Sequence, residues 1–291
     1  MIALEGDTEI QTEGNSVCRA RSVAPQPNSG VNPMSSPHPL DGALLKVIRA
    51  DQHLKAFEVE CGRYIQTKPY KVVSNFEGDV ISVEGVITAE PPPSLACIVG
   101  DFVTNLRAAL DYIAWELAMK AGRNLTDQQR RKVTFPLASN EANFTKADGT
   151  AAHLENVCGV PAEAIGVIES VQPYHAGYQS LGSLDLLVRT DKHRALLLCG
   201  SFMESAGAIA IYHGSSLAWK ASGMTRMEMN LAAFSPPRGP ASEYRVEVEE
   251  EPTLLVALKD FPSPPTLTYV GVLENILKCV TNIIPRFKQF F

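Results

Sequence analysis

The sequence lacks the features that would assign it at once to a common class of protein. No uncharged apolar run approaches the roughly 18 residues of a membrane-spanning helix. The six cysteines are scattered, with no CxxC pair and no clustered histidines, so neither a zinc module nor a disulfide scaffold is indicated. The motifs GxxxxGK[ST], GxGxxG, GxSxG and HExxH are absent, which leaves NTPase, Rossmann, α/β-hydrolase and zinc-protease assignments unsupported. We therefore predict no cofactor and no metal.

What remains is an ordinary globular composition. The 291 residues are 45% apolar and 20% charged, with a net charge of −6, which excludes a wholly disordered chain. With 26 basic against 32 acidic residues, a dedicated nucleic-acid coat protein is not indicated either. Scattered cysteines of the kind expected to stay reduced, and an acidic N-terminus without an apolar signal core, predict a cytoplasmic protein.

The pattern of apolar residues predicts one folded domain after a tail. Residues 1–37 are rich in Ser, Asn, Pro and Gly and are predicted to be a disordered N-terminal tail, with Met34 as an alternative start. Residues 38–291 are predicted to form a single α+β domain, because helical and two-residue periodicities follow one another without regular alternation. We expect a helical bundle with an inserted β-hairpin, then a C-terminal antiparallel sheet closed by a helix.

The last predicted helix, residues 267–291, has one continuous apolar side. That side can close the core, form a homodimer interface, or lie on a membrane surface. The opposite side is only weakly basic, so no membrane partner is predicted. A stretch of five cations against one acid, residues 120–132, is either a solvated helix end or a patch that contacts phosphates. Its cations are Lys120, Arg123, Arg130, Arg131 and Lys132.

Three charged residues fall where the helices should be buried. On a helix over residues 94–122, Arg107 and Asp111 lie beside the apolar side, roughly opposite a wet stripe that includes Asn105 and Glu116, with Trp115 covering one flank. On a helix over residues 181–198, Asp191 lies in the middle of the apolar side. A buried ion needs a partner, so we expect Arg107 to pair with Asp191.

Two histidines are candidate members of the same cluster. His53 borders the apolar side of the first helix, and His193 is one of two residues that Asp111 could bind instead of Arg107. The group either fixes the register of the helices or lines a functional site, since structural networks and active sites both perturb ionisable groups. A metal site from both histidines, Asp111 and Asp191 is a weaker alternative.

Three segments carry a resemblance to known proteins. They are NLRAALDYIAWELA (residues 105–118), SVQPYHAG (170–177) and LDLLVRTDKHRALLL (184–198). The chain resembles an uncharacterised bacterial family that shares an LRxALDH-type motif and a later DKHR. The likeness covers roughly residues 41–198 and falls on Arg107, Asp111, Asp191 and His193, but it implies no particular chemistry.

A fainter resemblance is to HEPN domains, helical bundles with an R-x4-6-H motif that often cleave or bind RNA. Counting from Arg107, the motif histidine would fall at position 112, where this chain has Tyr112. A tyrosine with a pKa of about 10 is a poor proton acceptor at neutral pH. This departure argues against ribonuclease activity.

Two functions follow as hypotheses. In the first, the chain is a binding protein whose buried Arg–Asp network lies near a site for RNA or a protein partner. In the second, it is a HEPN-like enzyme that acts on a phosphodiester or another anionic substrate, with Arg107 holding the anion and His193 or His53 moving a proton. An enzyme requires an open approach to Arg107 and a histidine nearby, whereas a structural network is closed on itself.

Overall fold

The computed structural model describes most of the chain beyond residue 37. The ranges it describes are 38–194, 196, 198–203, 206–212, 215–221, 225–226, 228–235, 239–250, 253–258 and 269–291. The predicted tail, residues 1–37, lies outside them, and the chain divides there from the unit that begins at His38.

The helices predicted over residues 94–122 and 181–198 begin within one residue of their predicted starts. The α-helices are α1 (Asp41–Gln66), α2 (Pro93–Lys120), α3 (Asp127–Arg130), α4 (Glu141–Phe144), α5 (Thr150–Ala152), α6 (Ala162–Glu169), α7 (Ser180–His193) and α8 (Tyr269–Ile283). A π-helical stretch, His153–Cys158, extends α5, and a 3₁₀ segment, Ile284–Phe290, follows α8 where Pro285 ends the α-helical hydrogen bonding. The first helix buries Val47, Ala50, Leu54 and Phe57, the residues whose spacing predicted it.

All strand pairs among the described residues are antiparallel. The strands are β1 (Tyr70–Glu77), β2 (Val80–Ile87), β3 (Leu198–Met203), β4 (Ala206–Tyr212), β5 (Ser215–Ala221), β6 (Thr225–Arg226), β7 (Glu228–Phe234), β8 (Arg245–Glu250) and β9 (Thr253–Leu258). They form three small sheets, ordered β1-β2-β7, β6-β3-β9 and β5-β4-β8. The chain is therefore a mixed α+β protein with small antiparallel sheets, as the sequence predicts.

Two details of the prediction are wrong. The strands do not make one C-terminal sheet, because β7 pairs with β2 of the hairpin instead of with its own sequence neighbours. The seventh helix does not continue to Leu198. It ends at His193, Arg194 is extended (φ −159°, ψ 152°), and Leu198 already begins β3.

The long helices share the main core. Helices α1 and α2 run antiparallel, since Gly42 lies against Tyr112 while Lys46 bonds to Asn105. Helix α7 packs on α2 and α8, and α8 also contacts α1. The apolar side of α8 lies within this core, where Leu273, Ile276 and Val280 are fully buried. That side is buried inside the protein, in agreement with the first of the three alternatives, and nothing in the described residues supports a homodimer through the C-terminal helix. Among the described residues, every helix is too short or too polar to cross a bilayer.

Candidate functional site

Arg107 and Asp111, one turn apart on α2, hold the main chain of Phe135. Arg107 Nε donates to Asp111 Oδ2 at 3.2 Å and Nη2 lies 2.9 Å from Oδ1, so the ion pair is bidentate. Arg107 Nη2 also donates to the carbonyl of Phe135 at 2.7 Å, and the Phe135 N–H donates to Asp111 Oδ1 at 2.8 Å. The main-chain N–H and carbonyl of Phe135 are thus both hydrogen-bonded to this one ion pair. The two side chains are 18% and 29% exposed, partly buried rather than fully so as predicted.

Gln172 holds the same loop from the other side. It is fully buried, its Oε1 accepts the Ala138 N–H at 2.9 Å, and its Nε2 donates to the carbonyls of Pro136 and Ile168. We call residues 135–138 the clamped loop, because α2 fixes its start and Gln172 fixes its continuation. Two of the three segments that carry the family resemblance therefore supply the groups that fix this loop. The helical spacing of the sequence placed Arg107 and Asp111 next to each other on α2. No sequence pattern indicates that their partner is the main chain of a loop.

Asp191 does not join this cluster, which corrects the expected pairing with Arg107. Its carboxylate lies against Gly100 of α2, where an added Cβ would be only 2.7 Å from Oδ1. Gly100 and Arg107 are seven residues apart, about 10 Å along the helix axis. Within the described residues Arg107 forms no ion pair with Asp191, and Asp111 forms none with His193. Asp191 therefore contacts α2 about two helical turns before Arg107.

Burial and one neighbouring negative charge favour the neutral form of Asp191. Burial raises the pKa of the Asp191 carboxyl, and the nearby negative charge of Asp101 raises it further. Burial also lowers the pKa of His53 on α1, with a contribution from Arg49, while Asp101 acts in the opposite direction. Burial thus favours the uncharged state of both groups, while the charge of Asp101 favours the neutral form of Asp191 and the charged form of His53.

The other candidates lie elsewhere on the surface. His193 is exposed at the end of α7, and Tyr112 is 42% exposed on α2, with its ring packed over Gly42 of α1. Tyr112 is five residues from Arg107, about 140° around the helix, so the two side chains point in different directions. Among the described residues no three His, Cys, Asp or Glu side chains are placed to hold a metal ion. The metal site considered as an alternative, from His53, His193, Asp111 and Asp191, is therefore not formed.

An apolar surface lies on the outer side of α1 and α2. Tyr112 and Trp115 are 42% and 37% exposed on α2, and Leu45 and Ile48 are 65% and 54% exposed on α1. This corrects the expected position of the wet stripe. Asn105 lies at the seam with α1 and receives a hydrogen bond from Lys46, so the solvent side of α2 is rotated towards Trp115. We call Tyr112 and Trp115 the aromatic stripe.

The predicted basic patch divides into two groups. Lys120 donates to the Phe291 carbonyl and lies over its ring, and Arg123 donates to the Asn156 carbonyl at 2.6 Å. These two cations have structural roles. The other three, at positions 130–132, are exposed and form no side-chain hydrogen bond or ion pair with any residue the structure describes. We call Arg130, Arg131 and Lys132 the basic segment.

A further polar group was not found from the sequence. The Tyr174 hydroxyl donates to Glu169 Oε1 at 3.0 Å, and His175 Nε2 lies 2.7 Å from the same oxygen. Burial and the hydrogen bond to Glu169 raise the pKa of Tyr174 to about 12. The turn after α6 brings the three together, and the only signal in the sequence was that Tyr174 and His175 lie in the SVQPYHAG segment, which follows Glu169 directly. This cluster orients a histidine beside a carboxylate at the protein surface.

Comparison with known proteins adds no relative. A scan against family models, a search of curated proteins and a search of solved structures each gave no match for this chain.

Proposed function

We propose that the protein is a non-catalytic binding protein of the bacterial cytoplasm, and that it binds single-stranded RNA. One observation carries the proposal: aromatic side chains of α2 are exposed, and three consecutive exposed cations have no ion-pair partner among the described residues. Proteins that bind single strands combine aromatic side chains, on which bases stack, with cations that follow the phosphates. The aromatic stripe and the basic segment supply these two elements.

The clamped loop keeps the two elements close together. Asp111 Oδ1 binds the Phe135 N–H at 2.8 Å, and Trp115 lies one turn beyond Asp111, about 6 Å along the axis. Lys132 is three residues before Phe135, within about 11 Å of even a fully extended chain. The basic segment therefore cannot move far from the aromatic stripe while the clamp is intact.

The residues just before the basic segment are also held in place. Helix α3 begins with a capping box in which Thr126 and Gln129 satisfy one another's backbone N–H groups. His153 Nε2 lies 3.0 Å from the carbonyl of Gln129. A segment fixed at both ends presents its cations at a lower cost in conformational entropy than a flexible loop does. In this proposal Arg107 and Asp111 act as scaffold and do not touch the ligand.

A HEPN-like enzyme acting on a phosphodiester or another anionic substrate is the second proposal, and the geometry supports it less. Arg107 Nε and Nη2 are already bonded to Asp111 and Phe135. Neither His53 nor His193 forms a hydrogen bond with Arg107 or Asp111 within the described residues. An enzyme of this kind needs a histidine within hydrogen-bond reach of the reacting oxygen.

RNA binding is measured by fluorescence anisotropy with a labelled single-stranded oligonucleotide of mixed sequence. We expect Trp115→Ala and the triple variant R130A/R131A/K132A each to weaken binding at least tenfold, which corresponds to about 1.4 kcal/mol. Three phosphate contacts on a single strand predict a log–log salt slope of about −2, which the triple variant should lose.

The matched control removes three exposed cations elsewhere. K55A/R63A/K278A changes the net charge by the same amount, and each of these side chains is at least two-thirds exposed. We expect it to bind RNA almost as the wild type does. The chain has two tryptophans, so Trp219→Phe leaves Trp115 as the only one, and its fluorescence should be quenched when bases stack on it. No binding by the wild type, or equal loss in both triple variants, would overturn the proposal.

A further inference from the structure

Strand β1 has an unpaired outer edge. It pairs with β2 on one side and is the terminal strand of its sheet, and no described strand lies beyond it. Gly78, at φ +56°, takes the first position of the two-residue turn, which makes Glu77–Val80 the closing hydrogen-bonded pair. Hydrogen bonding alternates along an antiparallel pair, so the backbone groups of Val72, Ser74 and Phe76 point outwards.

The exposed edge carries an aromatic side chain near one end. Phe76 is on the same side of the hairpin as the buried Ile81 opposite it, but Phe76 is 43% exposed. The described residues give Val72, Ser74 and Phe76 no backbone hydrogen bond outside the hairpin. An open edge with an exposed aromatic side chain is a template for another strand.

We propose that a second copy of the chain covers this edge, through antiparallel pairing of β1 with β1 of the second copy. The register centred on Ser74 matches the outward backbone groups, since Ser74 then faces its own counterpart in a hydrogen-bonded pair. In this register Lys71 faces Glu77 of the other copy twice, and Val72 faces Phe76 twice. Opposite charges and apolar side chains directly across such a pair are stabilising. A two-fold axis through the Ser74 pair joins the two β1-β2-β7 sheets into one sheet of six strands.

The rival interpretation is that Lys71 keeps the edge single by its charge, as lysines on edge strands often do. The two interpretations predict opposite effects of Lys71→Ala. If Lys71 pairs with Glu77 of a second copy, removing its charge weakens association. If Lys71 prevents pairing, removing it promotes association.

The experiment measures the mass of the full chain in solution by size-exclusion chromatography with light scattering, over a range of concentrations. We expect the wild type to have twice the 31.6 kDa of one chain. Lys71→Glu places Glu opposite Glu77 and should give a monomer, whereas the double variant K71E/E77K restores opposite charges and should restore the dimer. Lys55→Glu makes the same charge change on exposed α1 and should remain dimeric.

Circular dichroism checks that each variant is folded, which an exposed Lys71 leads us to expect. A wild type that is monomeric at every concentration overturns the proposal. So does a K71E/E77K variant that stays monomeric while folded, or a Lys71→Ala variant that associates more strongly than the wild type.

Discussion

Arg107 and Phe135 are joined across 28 residues of sequence by a hydrogen bond of 2.7 Å from Nη2 to the main-chain carbonyl. The Phe135 N–H is bound in turn by Asp111, the ion-pair partner of Arg107. The Phe135 ring is fully buried and meets Phe287 edge-on, with centroids 6.2 Å apart. The pair therefore connects α2, the clamped loop and the C-terminal 3₁₀ segment, and its loss should be felt first as a loss of stability.

Arg107→Ala should lower the free energy of unfolding by about 1–3 kcal/mol, because it removes the donor to the Phe135 carbonyl and the cation paired with the Asp111 carboxylate. Asp111→Ala should cost a similar amount. The double variant should cost less than the sum, with a coupling of about 1 kcal/mol. Urea denaturation of the four proteins measures this cycle.

The control for this cycle is Arg189→Ala with Asp185→Ala. This pair has the same residue types four apart on α7 and a contact of 2.8 Å, but the arginine is 66% exposed and holds no loop. Its coupling should fall within the roughly 0–1 kcal/mol of exposed pairs. Equal couplings in the two cycles would show that the contact with Phe135 contributes nothing.

Gln172→Leu should be among the more damaging single substitutions in the described chain. Leucine fills a similar volume but leaves the Ala138 N–H and the Pro136 carbonyl without the partner that Gln172 gives them. Each unsatisfied buried group costs about 1–3 kcal/mol, so for two groups we expect a loss of roughly 2–6 kcal/mol in thermal or urea unfolding. Gln52→Leu, on the exposed side of α1, should be almost neutral. A Gln172→Leu variant as stable as Gln52→Leu would contradict the clamp.

Sequence patterns located the elements and some of the charged pairs, but not their partners. A spacing of four residues puts Arg107 and Asp111 on one side of any α-helix, so their pairing was open to prediction. Their contact with Phe135 was not, because a main-chain partner in a loop has no residue type or period to reveal it. Trp115 was expected to cover one flank of the Arg107–Asp111 pair, and its side chain is 37% exposed on α2. Asn105 was expected in the solvent-exposed stripe and accepts a hydrogen bond from Lys46 of α1, a partner that apolar patterning does not reveal.

Gly100→Ala should destabilise the protein, although alanine is ordinarily preferred to glycine inside a helix by about 1 kcal/mol. The new Cβ would lie 2.7 Å from Asp191 Oδ1, closer than real Cβ contacts, so α7 or the Asp191 side chain must shift. Gly166→Ala on α6 is the control, because nothing lies within 4 Å of its added Cβ, and it should raise the melting temperature. Adding Asp191→Ala to Gly100→Ala should recover stability. A Gly100→Ala variant more stable than the wild type would disprove the close approach.

Asp191→Asn should raise stability at neutral pH, the reverse of what an ion pair with Arg107 would give. The folded-state pKa of Asp191 is raised by burial and by Asp101, so ionisation favours the unfolded chain. Above the pKa that Asp191 has in the folded state, its ionisation therefore lowers the stability of the wild type. The penalty disappears as the pH falls below 3.8, the ordinary value of the carboxyl.

Melting temperatures across this pH range should therefore show Asp191→Asn above the wild type at neutral pH and the two curves converging in acid. Asp101→Asn removes the like charge and should give a smaller gain of the same sign. The double variant D101N/D191N should gain less in melting temperature than the sum of the two single gains, because each substitution removes the same repulsion. If Asp191→Asn melted below the wild type at neutral pH, the carboxylate would have a stabilising cationic partner, and the separation of Asp191 from Arg107 would have to be abandoned.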